Sequence, residues 1–308
     1  MNVEKIIKEI TDLMDQAIEE FNSGVEDSQS KLFSKLEAIL KSEIETKGSI
    51  IRPSVKNYKL IGKLRQEIIN SILNKEYIDH LRKFTDAHDI IAGLIELYFG
   101  TMIENYSPRM NDVIRKSLIE TTINSLSEVG IGVNIADPIR DILTTNISTG
   151  GNYSDLMKQL RDSLLTNEFG DGALVKYTKQ ITTDAINQYS AQYMQSISND
   201  LDLEWFQYVG SNIATTRAFC NHLTDKRYVH ISELPEILNG VIDGHKIPLT
   251  KQGIPYGMIE GTNETNFKIY RGGYNCRHQL YPISEILVPS NIVQMVKDSS
   301  AYQIWKAA

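Results

Sequence analysis

The sequence predicts an α+β fold: a mainly helical N-terminal body, followed by a small, loop-rich α+β C-terminal domain. Three observations carry this. Apolar residues recur at three-and-four spacing through almost the first 200 positions, the signature of amphipathic helices. At Asp200–Leu203 the texture changes, and Glu204–Val209 is aromatic and β-branched, with Trp205, Phe206 and Tyr208. Beyond it, residues 239–261 hold Gly240, Gly244, Gly253, Gly257 and Gly261 with Pro248 and Pro255, a composition that favours loop. The division expected is an amphipathic helical arm over 1–48, a helical domain over 49–199, the α+β domain over 200–289, and a tail helix over 290–308.

Taken in order, Ile6, Ile7, Ile10, Leu13, Met14, Ala17, Ile18 and Phe21 form one stripe on an acidic helix. Asn22-Ser23-Gly24 is expected to interrupt it, with Asp27 or Ser28 capping a second helix through Leu32, Phe33, Leu36, Ile39, Leu40 and Ile44 to Lys47-Gly48. The pair serves either as a hairpin packed on the rest of the chain, the expectation, or as an arm that meets a partner. Pro53-Ser54 opens a helix to about Leu73, and Lys75–Tyr106 a longer one that ends before Pro108. In it, Gly93 and Gly100 permit close helix contact, and His80 and His88, two turns apart beside acids, are expected at the surface. Met110–Val129 follows, closed by Gly130-Ile131-Gly132, and Asp137-Pro138 starts a helix to about Thr145 with Asp as cap. Ser154 is expected to cap a helix to Thr166. A last long helix runs to about Asn199, with Leu174, Tyr177, Ile181, Ala185, Tyr189, Tyr193 and Ile197 on one side.

In the C-terminal domain, Glu204–Val209, Arg227–Ile231, Phe267–Tyr270 and His278–Tyr281 are the strand candidates, with a helical turn over Ser232–Leu238. Ser290–Trp305 has a weak helical pattern.

Composition excludes several classes. Of 308 residues 41% are hydrophobic and 23% charged, enough for a packed core, and no apolar run reaches bilayer length. Net charge is -7; residues 1–47 carry 11 acids against 6 bases, and residues 201–308 carry 10 of each. Neither segment has the basic excess that phosphate neutralisation requires, so dedicated DNA binding is disfavoured. Two cysteines and an acid-bearing N-terminus predict a reduced, intracellular protein without a secretory signal.

Chemistry concentrates in two stretches: Thr215–Leu223, holding Arg217, Phe219, Cys220 and His222, and Arg271–Ile283, holding Gly272, Gly273, Tyr274, Asn275, Cys276, Arg277 and His278. Cys220-x-His222 and Cys276-x-His278 form a symmetrical pair, and on extended backbone each would aim both side chains to one face. Zinc is the cofactor that Cys220, His222, Cys276 and His278 would hold, although a single intervening residue is tighter than common zinc spacing. A Cys220–Cys276 disulfide is a second state, and two reduced, buried thiols are the expected one. A Cys–His nucleophile pair lacks an orienting carboxylate or oxyanion hole. Arg217, Arg271 and Arg277 either satisfy loop carbonyls, the favoured reading, or grip an anion. Gly272-Gly273 is expected to allow positive φ in a tight turn.

These residues resemble the C-terminal domain of phage head morphogenesis proteins, the Mu F-like family of minor head proteins. The likeness lies in Gly210-Ser211-x-Ile213-x-x-Thr216-Arg217-x-Phe219-Cys220, then Lys226-x-Tyr228 and Ile231, and closes with Gly272-Gly273-Tyr274-Asn275-Cys276-Arg277-His278 and Tyr281-Pro282-Ile283. Thr182-Thr183-Asp184-Ala185-x-x-Gln188-Tyr189 looks like the helix leading into that domain. Residues 175–285 are covered. Other branches carry further cysteines, and His222 lies outside the shared pattern. The resemblance implies a non-enzymatic virion protein that acts in head morphogenesis through portal protein or major capsid protein, touches packaged DNA only incidentally, and lies in the capsid after assembly in the host cytoplasm. An effector enzyme, nuclease or thiol hydrolase-like, and a zinc-binding adaptor are the alternatives on the same module.

Overall fold

The computed structural model describes residues 2–107, 112–168 and 170–307, with the side chains of Asp112 and Ile114 left undescribed. In chain order its elements are α1 (Val3–Glu43), β1 (Thr46–Lys47), β2 (Ile50–Ile51), α2 (Val55–Ile72), α3 (Lys75–Met102), α4 (Asp112–Leu126), α5 (Glu128–Ile131), a π turn (Gly132–Ala136), α6 (Asp137–Thr149), α7 (Tyr153–Leu164) and α8 (Ala173–Asp200). Then come β3 (Trp205–Val209), α9 (Ala218–Lys226), β4 (Tyr228–His230), α10 (Leu234–Leu238), β5 (Val241–Ile242), β6 (His245–Lys246), α11 (Phe267–Tyr270), β7 (Gln279–Ile283), α12 (Ser290–Lys297) and α13 (Ser300–Ala307). The fold is α+β, mostly helical towards the N-terminus, with small antiparallel sheets beyond. The chain forms two compact units, one of residues 1–14, 88–118 and 183–308, the other of 15–87 and 119–182.

The second of these is helical. Its core takes Phe21, Leu32 and Leu36 of the expected stripes, together with Leu60, Leu64, Ile68, Phe84, Ile139, Leu143, Leu156 and Leu160. The expected break at Asn22-Ser23-Gly24 does not occur, and α1 runs through it. Tertiary contacts override the local signal. Buried Asn22 donates to Ile18 O (2.7 Å) and Thr182 Oγ1 (3.0 Å) and accepts from Thr178 Oγ1 (2.9 Å). Gly24 leaves room for the His80 ring, whose Nε2 would lie 2.4 Å from an added Cβ. Asp27 and Ser28 are therefore mid-helix, and α1 stops at Glu43, where β1 and β2 form a short hairpin instead of the helix expected to Lys47.

Further along, Ser54 caps α2, accepting from the Asn57 amide, as its position foretold. The start expected at Met110 lies outside the described residues. Gly130-Ile131-Gly132 does not close a helix; helical backbone continues from Glu128 through the π turn into α6. Asp137 is consequently not a cap, and accepts from Arg65 Nε at 2.8 Å. The cap of α7 is Asn152, two residues before Ser154.

In the other unit, β3 is the central strand of an antiparallel sheet ordered β4-β3-β7. The register sets Trp205 opposite His230 and Ile283, and Tyr208 opposite Leu280. Alternation along β3 sends Phe206 and Tyr208 into one core with Phe219, Cys220, Leu223, Val229, Phe267, Cys276 and Leu280. Trp205 goes to the opposite face with Ile283, Val288 and Val296. Phe267–Tyr270 is a helical turn, not a strand: four apolar-rich residues do not separate the two periods, and Phe267 alone is fully buried. Ile6, Ile7 and Ile10 of α1 are buried as well, so the stripe is covered within this chain. Gly93 and Gly100 are exposed; among the described residues nothing lies within 4 Å of a carbon added at Gly93, and only the Tyr106 ring does at Gly100. His88 is buried, contrary to expectation, edge-on to Tyr189 with ring centroids 4.7 Å apart.

The tail forms two short helices, α12 and α13, and α13 sets Tyr302 and Trp305 against His230, which also meets Trp205. Burial in this aromatic cage holds the His230 imidazole down to about 4, against the pull of Glu233 and Glu285 and with Lys297 acting alongside burial; Glu204 lies 3.6 Å away. A depressed folded value means that the unfolded chain takes up the proton first. Stability due to neutral His230 is thus full above pH 6.5 and lost as pH falls towards 4, by on the order of 2–3 kcal/mol. Urea midpoints measured from pH 7 to 4 should show this slope. His230→Asn, which can still accept from the Ser232 amide, should lack that component.

Candidate functional site

The two stretches meet. Arg217 is the N-cap residue of α9, which turns Phe219 and Cys220 into the core. The other stretch leaves α11, makes a tight turn at Gly272–Asn275, and enters β7. In the turn the Gly273 amide donates to Tyr270 O (2.7 Å) and the Cys276 amide to Gly273 O (3.2 Å). Asn275 adopts φ +57 and donates its amide to Asp184 Oδ1 of α8 at 2.7 Å.

Arginine side chains bind these loops together. Arg217 donates to Gly272 O (2.9 Å) and Tyr274 O (2.8 Å). Arg271 is buried and donates to His278 O, to Lys268 O (3.0 Å) and to Ile269 O (2.9 Å). One planar fork thus satisfies three carbonyls in a region poor in strand pairing. Arg277, Tyr274 and Asn275 are exposed.

Both glycines are required, for different reasons. Gly273 takes φ +82, and an added Cβ would lie 2.2 Å from Gly257 O. Gly272 does not take positive φ, which corrects the expectation for it; its need is space, since a Cβ there would lie 2.3 Å from Cys276 Sγ and 2.8 Å from Cys220 Sγ.

The sulfur atoms of Cys220 and Cys276 are 3.9 Å apart, reduced and buried. Cys276 Sγ is also 3.9 Å from His278 Nδ1. The hydrogen bond between the thiols lowers Cys276, helped by His278 and Arg271 against the effect of burial, and raises Cys220. Burial raises the Asp184 carboxyl, opposed by the Asn275 amide. His222 does not join: α9 is helical where extended backbone was expected, and positions two apart on a helix point to different sides. It stacks on His245 at 4.6 Å instead.

Three further residues join the site: Tyr208 and Gly210, which the sequence marks only as a strand residue and a motif glycine, and Asn212, which it does not mark. Asn212 Oδ1 is 3.2 Å from His278 Nε2. Tyr208 stacks on the His278 ring at 5.4 Å. Gly210 clears that ring, which an added Cβ would approach to 2.3 Å. Tyr208 lies in β3 and Gly210 and Asn212 just beyond its end, so the β3–β7 register brings them to His278. The cleft beside Cys276, lined by Asp184, Asn187, Arg271 and Gly273 among others, encloses about 10 Å³, the room of about one water.

No family model, curated protein or solved structure matches this chain.

Proposed function

We propose that this chain is a minor head protein of a tailed bacteriophage, non-catalytic, acting in head morphogenesis through portal protein or major capsid protein. The motif residues carry the family reading. The observation that favours a docking piece over an enzyme is how they are spent: Arg217, Arg271, Cys220, Cys276 and His278 all turn inward and hold loops to one another. A cleft of about 10 Å³ beside Cys276 offers a substrate no room. No described helix is long and apolar enough to cross a membrane.

Contact would fall to the outward residues of the same turn, with Tyr274 54% exposed. A virion assembled with a chain lacking residues 205–289 should lose infectious yield, restored by the full chain in trans. Wild-type yield from the deletion would contradict the proposal.

The effector reading has one observation in its favour, the thiol and imidazole 3.9 Å apart at Cys276 and His278. Cys276→Ala and His278→Ala separate the two: an enzyme loses turnover while staying folded, whereas a structural knot loses stability.

A further inference from the structure

We propose that Cys220, Cys276 and His278 bind a zinc ion, which locks the two motif halves together. Among the described residues these three are the one group of His, Cys, Asp and Glu side chains whose ligand atoms lie within 4.8 Å of one another, and all three are buried. Tetrahedral zinc, with Zn–S near 2.3 Å and Zn–N near 2.0–2.1 Å, separates two sulfurs by about 3.8 Å and a sulfur from an imidazole nitrogen by about 3.6 Å. Cys276 Sγ is 3.9 Å from both Cys220 Sγ and His278 Nδ1, within a few tenths of an ångström of those values, and the remaining pair, Cys220 and His278, lies within 4.8 Å. A disulfide would need the sulfurs to approach to about 2.05 Å.

The surroundings fit a ligand set. Asn212 Oδ1 lies 3.2 Å from His278 Nε2 and can only accept from it, which leaves Nδ1, 3.9 Å from Cys276 Sγ, as the ring nitrogen placed to bind the metal; an outer hydrogen bond of this kind orients metal-binding histidines. The stacked Tyr208 ring and the space kept by Gly210 hold that orientation. Two thiolates and one Zn²⁺ are together neutral, which suits a buried position better than either charge alone. Among the described residues no fourth His, Cys, Asp or Glu ligand atom lies within 4.8 Å of all three. The Tyr208 hydroxyl, buried beside the Cys220 thiol, is the protein atom available, and a water is the other. The assignment replaces His222 of the four-ligand set with this position and does not depend on the phage reading.

The test uses the full chain, purified under reducing conditions and loaded with Zn²⁺ or Co²⁺ alone. Zinc should bind at one equivalent and raise the urea concentration at which the two buried thiols become reactive, and a chelator should reverse that shift. Cobalt should give sulfur-to-metal charge-transfer bands and the strong visible absorption of tetrahedral geometry. Cys276→Ser and His278→Ala should weaken zinc at least about 100-fold, Asn212→Ala about 10-fold, and His222→Ala hardly at all. Two thiols that react freely in excess zinc, a cobalt spectrum of octahedral type, or a native 220–276 disulfide would overturn the proposal. The spectra come from the unaltered chain, so they decide even where a variant fails to fold.

Discussion

Replacing Arg271 with methionine should destabilise the C-terminal unit by about 3–5 kcal/mol, in the range for breaking a buried, hydrogen-bonded charge. The side chain is 2% exposed and serves three carbonyls of its own loop, at Lys268, Ile269 and His278. Methionine fills much of the volume but leaves those oxygens buried without donors. Lysine should fail nearly as badly, since a point charge on a flexible stem cannot reproduce the fork. Both tryptophans, Trp205 and Trp305, lie in this unit, so urea unfolding followed by their fluorescence reads the effect. A loss below about 1 kcal/mol would mean the guanidinium is not the knot's tie.

Gly272→Ala comes next, at about 2–4 kcal/mol, from overpacking against atoms with little freedom to move. Its methyl group would press on Cys276 Sγ and Cys220 Sγ together, and both sulfurs are hemmed by the core of Phe219, Phe267 and Leu280. Gly62→Ala, in α2 with open space around the added carbon, is the control, and should be neutral or stabilising by up to about 1 kcal/mol. Similar losses at both glycines would point to a general intolerance of side chains and not to the sulfur contact.

The residues that carry this argument differ in how legible they were. Apolar stripes at helical spacing named the buried residues of α1, such as Ile6, Ile10, Phe21, Leu32 and Leu36, because burial of one face is what the pattern encodes. The pairing of Cys220 with Cys276 could be foreseen from two similar motifs in a loop-rich region. The side His222 faces could not: Cys-x-His reads alike on a strand and on a helix, and only the backbone state decides whether its ends converge. Asn22 and Gly24 read as breakers, yet partners at Thr178, Thr182 and His80, remote in sequence, hold them inside α1. Asn212 and Tyr208 reach His278 through the β3–β7 register, which no local pattern specifies.

That two stretches 56 positions apart close into one buried knot is tested most directly by pulsed thiol labelling across a urea series, with Cys220 and Cys276 peptides quantified separately. Both sulfurs should be protected in the native chain and become reactive in the same transition. Free reaction of either one without denaturant, or exposure in two separate transitions, would contradict the account.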